Sequence, residues 1–154
     1  NMKKFIVLLS ALFVLAGCGV TSHVTVDPQV VKALKNRRYE MICDYMYPTG
    51  YPMQRLGGGY FVEIRDEHIT FVLPYIGSHT DLTFAGWEGI DFDEDIDDYS
   101  SKRYKDHVDI SFKVTNISDT YSCTLKVYYD GSATLDVIPA FRPFISYGGM
   151  VRPL

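Results

Sequence analysis

The chain has 154 residues, with 19 acidic against 15 basic side chains and a formal net charge of −4. Without a Lys/Arg cluster it lacks the electrostatic footprint of a nucleic-acid binder. Its length suits one domain, large enough to fold without a disulfide or metal staple.

In chain order, the cations Lys3 and Lys4 precede an apolar run from Phe5 to Leu15, which closes on Ala16-Gly17-Cys18. That sequence of features is a secretory signal peptide. The apolar run falls well short of the roughly 20 residues a helix needs to cross a bilayer. Leu15-Ala16-Gly17-Cys18 matches a lipobox, so residues 1–17 are expected to be removed and Cys18 to carry lipid. Several acyl chains, each contributing about 0.8 kcal/mol per buried CH₂, anchor stably where one would be marginal. Cleavage takes Lys3 and Lys4 away and moves the net charge from −4 to −6. Residues 18–26 are short, small and polar, and read as a tether to a single β-rich domain over 27–154.

Asp27-Pro28 predicts a helix start, with Asp27 as cap and Pro28 at a position that loses no hydrogen bond. Val30, Val31 and Leu34 share a face, and Lys35, Arg37 and Arg38 favour the helix C-terminus. From there the pattern has period two. Tyr39, Met41, Cys43, Tyr45 and Tyr47 are expected on one face of a strand. Tyr60 to Arg65 and His68 to Leu73 predict a hairpin around Asp66-Glu67. Val108 to Val114 and Tyr121 to Tyr129 alternate apolar with polar. Asp130-Gly131 predicts a type I′ turn into Ala133-Leu135-Val137, and a short last strand covers Phe144 to Tyr147. The expected fold is mainly β (α+β). One short N-terminal helix precedes about seven or eight antiparallel strands that form a curled sheet, a small sandwich or an open barrel.

Four segments then carry a resemblance: Leu73-Pro74-Tyr75-Ile76-Gly77, Glu88-Gly89-Ile90-Asp91-Phe92 with Asp98-Tyr99, Gly131-Ser132-Ala133, and Ile145-Ser146-Tyr147-Gly148-Gly149. Their order and spacing over residues 28–154 resemble the exported envelope proteins of the Bacteroidetes grouped as domain-of-unknown-function family 4251. The resemblance implies a small exported protein and brings no activity, cofactor or catalytic residue with it. Ile76 stands where the family commonly has an aromatic, and Cys43 and Cys123 are not motif positions. Surface lipoproteins of that phylum commonly carry acids after the lipidated cysteine. Gly19-Val20-Thr21-Ser22-His23 has none, which points to the outer membrane and its periplasmic face.

Cys43 and Cys123 are the thiols left after lipidation, and an oxidising compartment allows a disulfide between them, though buried free cysteine is the commoner state. Asp91, Asp93, Asp95 and Asp97 lie in the densest acidic run, a weak calcium candidate that lacks EF-hand spacing and reads as a solvated loop. The four histidines are scattered, without metal-ligand spacing. Tyrosine is in excess, at 12 residues. Tyr47 and Tyr51 sit in a turn-rich segment, and Tyr75, Trp87 and Tyr147 sit at strand ends or loops. With Leu73, Pro74, Gly77 and Gly149 they make the candidate recognition and family-motif set. No nucleophile, base and acid fall into a recognisable pattern, and no cofactor is implied. The expectation is a non-enzymatic, lipid-anchored periplasmic binding or interaction domain, meeting the membrane through Cys18 and an unidentified envelope ligand or protein. A structural envelope protein that contacts another protein is the alternative, and a concealed enzyme comes third.

Overall fold

The computed structural model describes residues 24–77 and 89–154. Helix α1 (Pro28–Asn36) begins as its sequence demands: the Asp27 side chain accepts from the Gln29 N–H at 2.9 Å, and Pro28 opens the first turn. It ends on Arg37, which takes left-handed dihedrals (φ 52°) and turns its N–H back to the Ala33 and Leu34 carbonyls. Val30, Ala33 and Leu34 are buried, so α1 lays one apolar face over the end of the sheet.

Among the described residues nine strands follow: β1 (Arg38–Pro48), β2 (Gln54–Arg55), β3 (Phe61–Arg65), β4 (His68–Leu73), β5 (Ile90–Arg103), β6 (His107–Thr115), β7 (Thr120–Tyr128), β8 (Ser132–Pro139) and β9 (Ile145–Pro153). Neighbours pair antiparallel from β3 through to β9, and β1 pairs with both β3 and β9. The ladder therefore closes into a barrel of eight strands, with the two-residue β2 added beside the second half of β1. The expected fold class holds, and the barrel is closed rather than open. Closure removes most of the unpaired edges that an open sheet exposes.

An eight-strand barrel has room for side chains or one small ligand. Here side chains take the space. Met41, Ile64, Ile69, Phe71, Val114, Leu125, Leu135, Val137, Ile145 and Tyr147 are all buried within it. Phe71 and Phe92 lie 4.9 Å apart between ring centres, and half-buried Phe92 and Tyr121 lie 5.1 Å apart, a tilted aromatic cluster at the edge of the interior. Each such side chain contributes about 1.5–3 kcal/mol on burial.

Three sequence expectations are corrected. The run Asp91 to Asp98 is not a loop but belongs to β5, a strand of 14 residues. Asp91, Asp93, Asp95 and Asp97 point to solvent while Ile90, Phe92 and Ile96 turn inward with half-buried Glu94, so most of its charge marks the outer face of a strand. The alternation in β1 breaks between Cys43 and Tyr45, where a bulge puts Asp44 and Tyr45 in succession on the exposed side. Tyr39, Met41 and Cys43 stay inside, but Met46 takes the inward place beyond the bulge, and Tyr45 and Tyr47 face outward. At Asp130-Gly131, only Gly131 has positive φ (95°), and its N–H donates to the Tyr128 carbonyl at 2.9 Å. The connection is a three-residue loop closed by a left-handed glycine, not a type I′ turn.

Candidate binding surface

The barrel has two dissimilar ends. α1, the β3–β4 turn and the β5–β6 turn crowd one. At the other lie two of the segments that carry the family resemblance, residues 73–77 and 145–149, and there they build architecture; Gly131-Ser132-Ala133 instead turns beside Val30 of α1. The Tyr147 hydroxyl donates to the Pro74 carbonyl at 2.6 Å, and the Tyr75 hydroxyl donates to the Pro143 carbonyl at 2.7 Å. Tyr75 and Tyr147 are both buried, and burial pushes both hydroxyls above the ordinary phenol range, which keeps them protonated as donors. The Leu73-Pro74-Tyr75 segment is thus latched across the end of the barrel. Gly77 lies against that latch: a Cβ there would fall 2.5 Å from the Tyr75 hydroxyl oxygen.

Arg142 completes this end. Its guanidinium sits 4.3 Å over the Tyr75 ring, donates to the Tyr121 hydroxyl at 2.8 Å, and lies 3.8 Å from Asp119. Asp119 is buried, and its carboxylate accepts from the Thr120 and Ala140 N–H groups. The desolvated carboxylate is therefore satisfied by main-chain donors as well as by the cation. Sequence reading missed this Arg–Asp–Tyr cluster because Tyr75, the start of β7 with Asp119 and Tyr121, and Arg142 come from segments about 20 to 45 residues apart in the chain.

Gly149 has a second structural task. It faces Cys43 across the β1–β9 seam, where a Cβ would fall 1.8 Å from the Ile42 carbonyl oxygen. Only a residue without a side chain lets β1 come this close at its bulge. Of the predicted set, then, Leu73, Pro74, Tyr75, Gly77, Tyr147 and Gly149 hold the barrel together. Cys18 and Trp87 lie outside the described residues.

The remaining tyrosines are on the surface. Tyr45 lies between Arg55 of β2 and Gly148 of β9, and Tyr47 lies opposite Ser146. A Cβ on Gly148 would sit 3.4 Å from the Tyr47 ring, so the bare glycine leaves a level floor beside both rings. Tyr47 and Tyr51 are 45% and 48% exposed, and Phe144 and Met53 are exposed near the same strand ends. The Thr49 hydroxyl donates to the Phe144 carbonyl at 2.6 Å and ties the turn after β1 to the entry of β9. Beyond Ser146, Asp136 of β8 accepts the serine hydroxyl at 2.7 Å. Flat rings with polar tips, a floor without side chains and a carboxylate nearby make a surface suited to sugar or peptide contacts.

The other candidates resolve as follows. Cys43 and Cys123 are both free and buried, so the disulfide considered for them is not formed. They lie on β1 and β7, which β8 and β9 separate in the ladder. Burial raises the Cys43 thiol to about 12, and the Cys123 thiol rises further for the same reason. Asp91, Asp93, Asp95 and Asp97 are strung along β5, where alternate residues stand about 6.5 Å apart and do not converge. Among the described residues, no group of three or more carboxylate, imidazole or thiol ligands is placed to hold a metal. His68 bridges two of these acids: its Nδ1 lies 2.9 Å from Asp95, and its Nε2 bonds to Asp93. Those hydrogen bonds, Asp95's first, hold its pKa above the ordinary histidine value.

Comparison with protein families matches residues 25–151 to the domain of unknown function DUF4251, and residues 2–18 to the prokaryotic membrane lipoprotein lipid attachment site. Among solved structures, the chain is similar to a DUF4251 family protein from Bacteroides eggerthii. The two are 17% identical with a TM-score of 0.64, over 81% of this chain and 85% of that one. That likeness shows a shared fold. No curated protein matches. The β barrel, its latched end and the family match over 25–151 together show that the chain belongs to the DUF4251 family and carries a lipoprotein attachment site.

Proposed function

We propose that the protein is a non-enzymatic binding domain, lipid-tethered at the outer membrane and facing the periplasm. Its recognition surface would be formed by Tyr45, Tyr47 and Tyr51 with Phe144 around the Gly148 floor. The observation that carries this reading is the β1 bulge, which turns two tyrosines out of the core and leaves them exposed beside a glycine. Exposed aromatics grouped on one face are costly to leave in water without a partner. The barrel interior is already filled by side chains, so a ligand belongs on the outside. Gly19 to His23 contain no acid, which supports the periplasmic face. An envelope glycan or an extended peptide fits the chemistry of this surface.

Chemical-shift mapping with peptidoglycan fragments, envelope oligosaccharides and peptides tests it. The Tyr45, Tyr47 and Tyr51 ring signals should move, and Tyr47→Ala with Tyr51→Ala should abolish the effect without lowering the melting temperature. If no such probe moves those signals, the reading fails. Anchoring has a separate test: Cys18→Ala should release the protein from the membrane fraction or leave its signal uncut.

A second reading has an observation of its own. Phe141 and Ile138 are 81% and 55% exposed on and just after β8, apolar surface of the kind that favours a protein partner. On that reading the domain is a structural component of the envelope.

A further inference from the structure

β5 is longer than the strands beside it, and its two halves are paired on opposite sides. Ile90 to Asp95 pair with β4, whereas Ile96 to Arg103 pair with β6. The β3–β4 turn ends the first ladder, with the Ile96 N–H donating to the Glu67 carbonyl at 2.8 Å. Beyond that point the β4-side edge of Asp98 to Arg103 carries no main-chain partner among the described residues. Asp98, Ser100, Ser101, Lys102 and Arg103 are all exposed along it, and Tyr99 is half-buried. A row of unpaired N–H and C=O groups is a template for another strand.

The side chains on this edge say which strand. Proteins commonly blunt a free edge with charge of one sign or with lysines. Here the signs are segregated, acid before Ser100 and base after it. If the strand is paired antiparallel with a copy of itself about a two-fold axis through Ser100, Asp98 falls opposite Lys102 of the second copy, and Lys102 opposite Asp98. Ser100 meets Ser100, and Tyr99 meets Ser101. Facing pairs in such a ladder lie about 4.5–5.5 Å apart at Cβ, near enough for opposite charges to stabilise and like charges to oppose. A shift of the axis by one residue in either direction breaks the two ion pairs, so charge also sets the register.

We propose that two copies of this protein associate edge to edge through Asp98–Arg103 of β5 and continue the sheet from one barrel into the next. The interface is isologous, as a two-fold dimer requires: each copy offers the same segment and receives it. It lies at the α1 end of the barrel, away from the exposed tyrosines, and goes beyond the binding function proposed above. Since α1 and the chain that leads into it join the same end, both attachment points are brought toward the middle of the dimer.

The test uses the full lipidated protein in detergent, with the dissociation constant read by analytical ultracentrifugation. Asp98→Lys and Lys102→Asp each set like charges opposite at both symmetric pairs and should weaken the dimer by about tenfold or more. The double variant Asp98→Lys/Lys102→Asp restores opposite charges and should recover the original affinity. Both positions are exposed, so the fold is expected to survive, and circular dichroism checks this. Under mild oxidation Ser100→Cys should form a disulfide-linked dimer, whereas Ser111→Cys, exposed one strand away on β6, should not. Monomer at every concentration up to about 1 mM overturns the proposal. So does a dimer indifferent to the single reversals, a double variant no tighter than either single one, or equal cross-linking at Ser111 and Ser100.

Discussion

Substituting alanine at Gly149 and at Gly148 should separate two neighbouring glycines that look alike in sequence. A Cβ at Gly149 would stand 1.8 Å from the Ile42 oxygen, 2.9 Å from its carbonyl carbon and 3.1 Å from the Cys43 Cα, all of them main-chain atoms. Ordinary contact begins near 3.4 Å. The β1–β9 seam would therefore have to open by over 1 Å, which stretches ladder hydrogen bonds from about 2.9 Å past their useful range. Losing two or three of these at about 1 kcal/mol each, with the packing around them, puts the cost of Gly149→Ala near 3 kcal/mol. That is a large share of a typical stability of about 5–15 kcal/mol and corresponds to a fall in melting temperature on the order of 10 °C. At Gly148 the nearest atom is the edge of the Tyr47 ring at 3.4 Å, and that side chain is free to move. Gly148→Ala should be neutral or stabilise by up to about 1 kcal/mol through the unfolded chain. Urea unfolding followed by circular dichroism measures both. If the two variants differ by less than about 1 kcal/mol, the close approach at the seam is not what fixes Gly149.

Other expectations rest on single groups. Tyr147→Phe strips the half-buried Pro74 carbonyl of its donor and should cost about 1 kcal/mol in the same assay; an unchanged melting curve would show that the latch contributes nothing. Cys43 and Cys123, buried with raised pKa values, should not react with a thiol reagent near pH 8 until the chain is unfolded, when both should react. Labelling of either in the folded protein would contradict that. His68 should titrate above 6.5 by NMR, and Asp95→Asn should bring it down. Because the folded value is the higher one, its stabilising contribution is complete below the unfolded pKa and is lost as pH rises through the folded pKa. A midpoint at or below 6.5 would refute the His68 bridge.

Local features of this fold were legible in the sequence and long-range ones were not. The Asp27-Pro28 helix start and the hairpin at Asp66-Glu67 were readable because each depends on a few adjacent residues. β5 was hidden because six acids between Asp91 and Asp98 outweighed the inward alternation of Ile90, Phe92 and Ile96. A strand tolerates that density of charge when nearly all of it faces water, as here, where only Glu94 is half-buried on the inner side. The bulge at Asp44 was invisible because it shows only in the register against β9, where Gly148 and Gly149 face its two flanking residues. Reading β1 as one unbroken alternation therefore put Tyr45 and Tyr47 on the same face as Tyr39, Met41 and Cys43, whereas the bulge turns them outward. The family motifs drew attention to Tyr75 and Tyr147 as recognition residues, but their hydroxyls are spent on the Pro143 and Pro74 carbonyls. The exposed aromatic surface depends instead on the phase of one strand after its irregularity.

β1 also works as a spacer. Its first residue, Arg38, follows the helix at the end where the Asp27 N–H donates to the Tyr129 carbonyl, and it carries the chain toward Tyr47 at the other. At about 3.3 Å per residue and the usual barrel tilt, that run covers roughly 23 Å along the axis. On the proposed reading, a ligand at the tyrosines would be kept that far from the point where the tether joins the domain, by a paired strand whose length does not fluctuate as a flexible linker's would.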